Sequence, residues 1–208
     1  KANILSTLTS KILGTMFLNG ATLEECVDTI SETLPICQVR QVAYSTFSIL
    51  QVYHNGDAYL VEYDNPRCIF IRDGEVIKIP RNTRVVQDKE INEFRFTVKK
   101  GDALILLSDG TIHAGVGKSM TFGWPWKDIA EFVVRQREHA ISSIRLAAAV
   151  CEECDKLYEG KPGDDTTVAV MQIIDRRPVH LMTGPPVDRD DDERIISVSY
   201  THLRAHET

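Results

Sequence analysis

Apolar residues recur at helical spacing at the start of the chain and at a period of two through its middle. The segments Ile4–Met16 and Leu23–Leu34 carry apolar residues three and four positions apart, which predicts two amphipathic helices. Gly20 is expected to end the first helix and Pro35 to end the second. Thr22-Leu23-Glu24-Glu25 has the form of a capping box, whose first and last residues satisfy each other's backbone N–H groups.

The middle of the chain consists of short alternating segments separated by turn residues. Asn55-Gly56 and Asp73-Gly74 each lie between two such segments, and each dipeptide predicts a β-hairpin. Further strands are expected over residues 91–98 and 103–108. These segments are close enough in sequence to pair antiparallel.

Helical spacing returns after Pro125, in one short segment and in a longer one for which Ser142 or Ser143 is the expected N-cap. A last strand is expected over residues 167–174. Two helices, several closely connected strands, two more helices and a returning strand predict an α+β fold. The chain has 208 residues, of which 43% are hydrophobic and 26% charged, and this suits one well-buried globular domain.

Charge, motifs and cysteine content narrow the class of protein. A net charge of −6 without a basic stripe argues against nucleic-acid binding. Gly115-Val116-Gly117-Lys118-Ser119 looks like the end of a P-loop, but Ile112 stands where that motif requires glycine, so no nucleotide is expected.

No apolar run approaches the roughly 18 residues of a membrane span. Five scattered cysteines favour reduced thiols in the cytoplasm, and Cys151-Glu152-Glu153-Cys154 favours structural thiols over a zinc or redox site.

Two expected strand ends carry acids that could bind a divalent cation. The apolar run that starts at Ala103 ends in Ser108-Asp109-Gly110, and Gly163-Asp164-Asp165-Thr166-Thr167 opens the last strand. Carboxylates that converge from separate elements supply the hard oxygen ligands that Mg²⁺ and Mn²⁺ prefer. Either motif alone suits an ordinary turn, as Asp73-Gly74 does. The two motifs in this order favour the metal site.

With these motifs after its helical start, the chain resembles the metal-dependent protein phosphatases (PPM, type 2C), and within them the stage II sporulation protein E group. The resemblance covers most of residues 1–174 and implies an antiparallel β-sandwich flanked by helices in α-β-β-α layers. It also implies hydrolysis of phosphoserine or phosphothreonine on a bacterial signalling protein, by water that two Mn²⁺ or Mg²⁺ ions activate. The implied partner is therefore a phosphorylated protein substrate.

The resemblance also assigns the metal-site residues, which are Asp109, Asp164, Gly110 and Asp165. Asp109 and Asp164 would be the ligands, with Asp165 as their neighbour. Gly110 would let the backbone turn sharply beside the metal. His113 would either contact phosphate or cap the turn.

One motif of the family, an Asp-Gly pair whose Asp bridges the two metals, is expected ahead of the first helix and is not in the chain. Truncation just upstream of Lys1 would explain this and would leave the fragment inactive. The alternative is a true loss of the metal site, which would make the chain a non-catalytic signalling or protein-interaction module. Membrane attachment through missing sequence and a homodimer through the first two helices stay open.

The domain boundaries follow from the same patterns. Residues 1–177 are expected to form the catalytic domain, and residues 178–197, rich in proline and aspartate, a linker or the start of a missing downstream segment. Residues 198–208 read VSYTHLRAHET and resemble a translated sequencing adaptor. An adaptor artefact has no evolved packing partner, so we expect this tail to be disordered or loosely placed.

Overall fold

The computed structural model describes residues 2–38, 46–53, 55–86, 89–139, 141–174 and 197–203. The helices and strands in chain order are α1 (Ala2–Leu18), α2 (Leu23–Gln38), β1 (Phe47–Val52), β2 (Asp57–Tyr63), β3 (Ile69–Arg72), β4 (Glu75–Ile77), β5 (Asn82–Val86), β6 (Lys89–Thr97), β7 (Ala103–Leu107), α3 (Asp109–Ile112), α4 (Trp126–Arg137), α5 (Ser143–Leu157), β8 (Thr166–Gln172) and β9 (Ser197–Leu203). The chain divides into two compact units, of which the first comprises Lys1–Gln51, Tyr59–Asp64 and Pro80–Phe94.

The first unit contains α1, α2 and a four-stranded sheet of order β1-β2-β6-β5. Buried apolar residues of α2 and of the sheet form its core, which consists of Leu23, Val27, Ile30, Phe47, Tyr59, Val61 and Ile91. Sequence patterning missed β5, which pairs antiparallel with β6 from Asn82↔Glu93 to Val86↔Lys89. Its residues are largely polar and exposed or half-buried, so no apolar alternation marks it.

Both helix starts and one of the two helix ends in this unit match the sequence-based predictions. In the capping box, the Thr22 N–H donates to a Glu25 carboxylate oxygen at 2.8 Å, and the Glu25 N–H donates to the Thr22 hydroxyl at 3.2 Å. Gly20 follows α1 with a φ of +79°, as a glycine after a helix end should. The prediction that Pro35 ends the second helix is wrong, because α2 continues to Gln38. A proline removes one backbone hydrogen bond but does not forbid a further turn.

The second unit contains a five-stranded sheet of order β4-β3-β7-β8-β9, together with α3, α4 and α5. Alternate residues of β3, β7 and β8 share one face of this sheet and pack with α4 and α5; the strand residues are Ile69, Ile71, Ala103, Ile105, Leu107, Val168 and Val170. Ser142 is the N-cap of α5, and its hydroxyl accepts from the Arg145 N–H. Asp73-Gly74 forms the turn of the β3–β4 hairpin, as predicted.

The expectation for the tail is wrong over Val198–Leu203, which belong to β9. This strand pairs antiparallel with β8 over its whole length, from Thr166↔Leu203 to Gln172↔Ser197. A strand edge offers backbone donors and acceptors to any extended segment, so pairing does not require an evolved sequence. Residues 178–196 of the expected linker, and residues 204–208, lie outside the described part of the chain. The adaptor origin of the tail stays a prediction.

The α+β class is confirmed, since the structure has two sheets with antiparallel strand pairs and five helices among its described residues. Among those residues, no helix is both long and apolar enough to span a bilayer.

Candidate metal centre

The candidate site lies where β7 ends and β8 begins. These two strands are antiparallel neighbours, and Leu107 pairs with Val168 at the last position of their register. The residues that leave β7 therefore lie beside the residues that enter β8. This topology brings Ser108-Asp109-Gly110 and Gly163–Thr167 together, although they are far apart in sequence.

Ser108 joins the two acidic segments directly. Its backbone N–H donates to the Thr167 carbonyl at 3.0 Å, and its hydroxyl donates to the Asp165 carbonyl at 3.1 Å. The same hydroxyl accepts from the Thr167 N–H at 2.8 Å. The serine of the Ser-Asp-Gly motif thus fixes one acidic segment against the other.

Gly110 is needed because two backbones approach each other closely. A Cβ atom at this position would lie 2.3 Å from the Asp165 carbonyl oxygen, well inside van der Waals contact. Gly110 lies in α3 and is not among the described glycines with a positive φ, so the expected sharp turn is not the reason for this glycine. Its carbonyl accepts a buried hydrogen bond of 2.7 Å from the Tyr158 hydroxyl.

The carboxylates of Asp109 and Asp164 converge beside this contact. Each has one oxygen held by the backbone N–H of the next residue, at 3.0 Å for Asp109 and 2.8 Å for Asp164. The two carboxylates and the imidazole of His113 each offer a ligand atom, and these three atoms lie within 4.8 Å of one another. The donors therefore face a common point from two segments, as a metal site requires.

His113 is the member of this cluster that sequence reasoning left undecided. It follows Asp109 by four residues, and its backbone N–H donates to the Asp109 carbonyl at 3.1 Å, which places the two side chains one helical turn apart. Its Nδ1 lies 3.6 Å from Asp164 Oδ2. The signal that could have identified it is the Asp-x-x-x-His spacing in a segment that begins as a helical turn.

The electrostatics of the cluster favour a bound cation. Partial burial raises the pKa of the Asp109 carboxyl above its usual value, and the neighbouring charge of Asp164 raises it further. The Gly110 N–H and His113 act in the opposite direction but do not cancel these effects. A divalent cation would relieve the repulsion between the two carboxylates, so the residues present fit the ion that the sequence resemblance implies.

Tyr158 lies between the two acidic segments. Its hydroxyl bonds Gly110, while its ring carbon Cε1 is 3.6 Å from the position of a Cβ on Gly163. Burial raises the pKa of Tyr158 to about 12, and Asp164, Cys154 and Asp109 contribute to the rise. The phenol therefore stays neutral and donates to the Gly110 carbonyl throughout the physiological range.

The other predicted site residues have different positions. The Asp165 side chain is exposed and is not part of the cluster, although its carbonyl receives the Ser108 hydroxyl. Thr167 acts through its backbone, which bonds Ser108. Gly110 allows its backbone to lie close to the Asp165 carbonyl. A direct metal contact by Asp165 or Gly110 stays a prediction.

Lys118, the lysine of the P-loop-like sequence, caps the C-terminal end of α5. Its ammonium group donates to the Lys161 carbonyl at 2.7 Å and to the Tyr158 carbonyl, just beyond the C-terminal end of α5. The Ser119 hydroxyl donates to the Leu157 carbonyl at 3.0 Å. Lysine near the end of a helix commonly satisfies the last carbonyls in this way.

Several solved structures share this fold. The PP2C phosphatase domain of SpoIIE from Bacillus subtilis, solved with a fragment of its regulatory domain, matches with a TM-score of 0.61 and 20% identity over 80% of this chain and 49% of that one. The phosphatase domain of the same protein, in a crystal form without domain swapping, gives 0.58 and 18% over 89% and 80%. PppA, a regulatory component of the type VI secretion system in Pseudomonas aeruginosa, gives 0.54 and 15% over 80% and 77%.

The family model for stage II sporulation protein E (SpoIIE) matches residues 1–174. The chain therefore belongs to the SpoIIE family, and it is a domain of the metal-dependent protein serine/threonine phosphatase class. Comparison with curated protein sequences gives no match.

Proposed function

We propose that this domain hydrolyses phosphoserine or phosphothreonine on a bacterial signalling protein, with Mn²⁺ or Mg²⁺ bound by Asp109 and Asp164. The observation that carries the proposal is the convergence of these two carboxylates at the junction of β7 and β8. The match to the SpoIIE family over residues 1–174 supports residues 1–177 as the catalytic domain.

The described residues have distinct tasks in this reaction. A bound divalent ion supplies positive charge for the phosphoryl group and lowers the pKa of water. Asp109 and Asp164 would hold that ion, and the contacts of Ser108 and Gly110 with the Asp165 carbonyl would keep their two segments close together. The Asp164 side chain retains 46% exposure, so a phosphoryl group on a protein surface can reach the site.

We also infer that the chain alone is inactive. Its Asp-Gly pairs are Asp73-Gly74, which is a hairpin turn, and Asp109-Gly110, so the acid that bridges two ions in the family has no counterpart in the sequence. Two acids of the expected set bind one ion weakly. The expected number of ions in an intact site is two.

The test compares the chain with a longer version of the protein that carries an upstream Asp-Gly motif. We expect phosphate release from a phosphoserine peptide by the longer version only, dependent on Mn²⁺ or Mg²⁺ and abolished by chelation. Asp109→Asn should lower its rate by orders of magnitude, because it removes a ligand charge, while Asp73→Asn should not. Full activity of Asp109→Asn would contradict the assigned ligand, and inactivity of every version would favour the non-catalytic signalling module.

A further inference from the structure

We propose that His113 is a third ligand of this centre and that its imidazole makes the site prefer Mn²⁺ to Mg²⁺. The inference rests on the proposed function, since it concerns the ion held by Asp109 and Asp164. It adds a nitrogen donor to a set that sequence reasoning described as oxygen only.

The distances between the ligand atoms suit a single ion. Two ligands of one small cation can lie at most about 4.2 Å apart, which is twice a bond of about 2.1 Å. The distance of 3.6 Å between His113 Nδ1 and Asp164 Oδ2 is already below this limit. The full set lies within 4.8 Å, so binding requires a contraction of about 0.6 Å at most.

The backbone presents the imidazole from an ordered segment. The His113 N–H bonds the Asp109 carbonyl, and the His113 carbonyl accepts from the Val116 N–H at 3.1 Å. The preceding Ile112 carbonyl accepts from the Trp124 N–H at 3.0 Å. Backbone hydrogen bonds thus hold the segment both before and after His113. The His113 side chain is 52% exposed, so an ion can reach it from solvent.

The chemistry of imidazole determines which ion benefits. Imidazole is a good ligand for Mn²⁺ and the later transition metals, whereas Mg²⁺ prefers oxygen donors and keeps most of its waters. The Asp–His proximity alone would also suit a simple ion pair between His113 and Asp164. An ion pair between His113 and Asp164 would give no preference between two cations of equal charge. A preference for Mn²⁺ that depends on His113 therefore distinguishes a metal ligand from an ion-pair partner.

The test measures Mn²⁺ binding to the full chain by electron paramagnetic resonance of the free ion, and Mg²⁺ binding by competition. We expect His113→Gln to lower Mn²⁺ affinity about tenfold and to change Mg²⁺ affinity far less. His113→Asp, which restores a ligand of the oxygen type, should keep binding but lose the preference for Mn²⁺. His139→Gln is the matched control, because His139 is exposed and is not part of the cluster. Circular dichroism establishes that each variant is folded.

Equal losses of Mn²⁺ and Mg²⁺ affinity in His113→Gln, or no loss of either, would overturn the inference while leaving the proposed function intact. The proposed function would fail separately if Asp109→Asn bound Mn²⁺ as well as the wild type does.

Discussion

Asp109 carries a charge that the fold makes unfavourable in the absence of a cation. Burial and the charge of Asp164 both raise its pKa, so the folded state holds the proton more strongly than the unfolded chain does. The metal-free protein therefore loses stability at this group as the pH rises through that pKa. The cost is fully present at pH values above that pKa, as long as no cation is bound.

Asp109→Asn should consequently raise the melting temperature of the metal-free protein at neutral pH. The amide keeps an oxygen that can accept the Gly110 N–H and removes the charge. The gain should shrink at acidic pH, where Asp109 is protonated in the wild type, and also in the presence of Mn²⁺. Thermal unfolding by circular dichroism measures this, with Asp73→Asn as the exposed control. A lower melting temperature at neutral pH would contradict the assigned repulsion.

Tyr158→Phe tests the phenol that holds α3. Loss of the hydroxyl leaves the buried Gly110 carbonyl without its donor, which costs about 1–3 kcal/mol. Because Asp109 adjoins Gly110, the affinity for Mn²⁺ should fall as well, by several-fold. Denaturant unfolding and Mn²⁺ titration measure the two effects, with the exposed Tyr53→Phe as control. An unchanged Mn²⁺ affinity would limit Tyr158 to a role in stability.

Single residues show where sequence reasoning was sufficient. The closeness of Asp109 and Asp164 could be anticipated because acids at strand ends follow a known chemical pattern, and their role as metal ligands stays a prediction. The roles of Ser108 and Tyr158 could not be anticipated, because they consist of hydrogen bonds to carbonyls that are distant in sequence. Asp102 and Asp109 lie at opposite ends of β7, and only the structure shows that Asp102 pairs with Arg72 at 2.7 Å.

At the scale of elements, α5 determines the chemistry of the CxxC sequence. Cys151 and Cys154 are buried in the core that α5 forms with the sheet, and both are free thiols. Burial raises the pKa of Cys151 to about 11 and that of Cys154 to about 12. Neither belongs to a potential metal-binding group among the described residues. The position therefore favours structural thiols.

These two thiols should not react with a thiol-specific reagent in the native protein at neutral pH. Only the thiolate is nucleophilic, and its fraction is negligible at such pKa values. Peptide mapping by mass spectrometry after brief alkylation, with and without denaturant, distinguishes them from the other cysteines. Rapid native labelling of either residue would instead support a redox role for the CxxC sequence.

Elements were predictable where one face is apolar. The hairpins at Asn55-Gly56 and Asp73-Gly74 and the helices α4 and α5 follow from alternation, turn residues and helical spacing. Two exceptions show the limit of such patterns. The polar strand β5 is held by backbone pairing with β6, and α2 passes through Pro35. Backbone pairing and tolerance of a proline leave no trace in hydrophobic periodicity.

At the scale of the whole molecule, the five-stranded sheet depends on β9 for one of its edges. Removal of residues 197–208 would leave the edge of β8 that faces β9 without a partner along the seven-residue register, while the other edge stays paired with β7. We expect this deletion to lower the melting temperature by several degrees and to increase self-association through the open edge. Thermal unfolding and size-exclusion chromatography measure both. Unchanged behaviour would support the adaptor origin of the tail and a β9 without a stabilising role.

The family, the α+β class and the order of the two acidic motifs could all be derived from the sequence. The pairing of the tail could not, because edge pairing depends on which backbone groups are left open by the rest of the sheet. The cluster of possible ligands was predictable in its two acids and not in His113, since the imidazole joins the acids only through the turn that follows β7.

The contact between Gly110 and the Asp165 carbonyl would also limit the size of an ion held by Asp109 and Asp164. Alanine at this position would hold the two backbones about 0.7 Å further apart, since a Cβ needs at least 3.0 Å and finds 2.3 Å. The widened gap would suit Ca²⁺, whose bonds are about 2.3–2.6 Å, better than an ion with bonds of about 2.1 Å. A residue without a side chain would thereby act as a size gauge, and we expect Gly110→Ala to favour a larger cation while the carboxylates of Asp109 and Asp164 are kept.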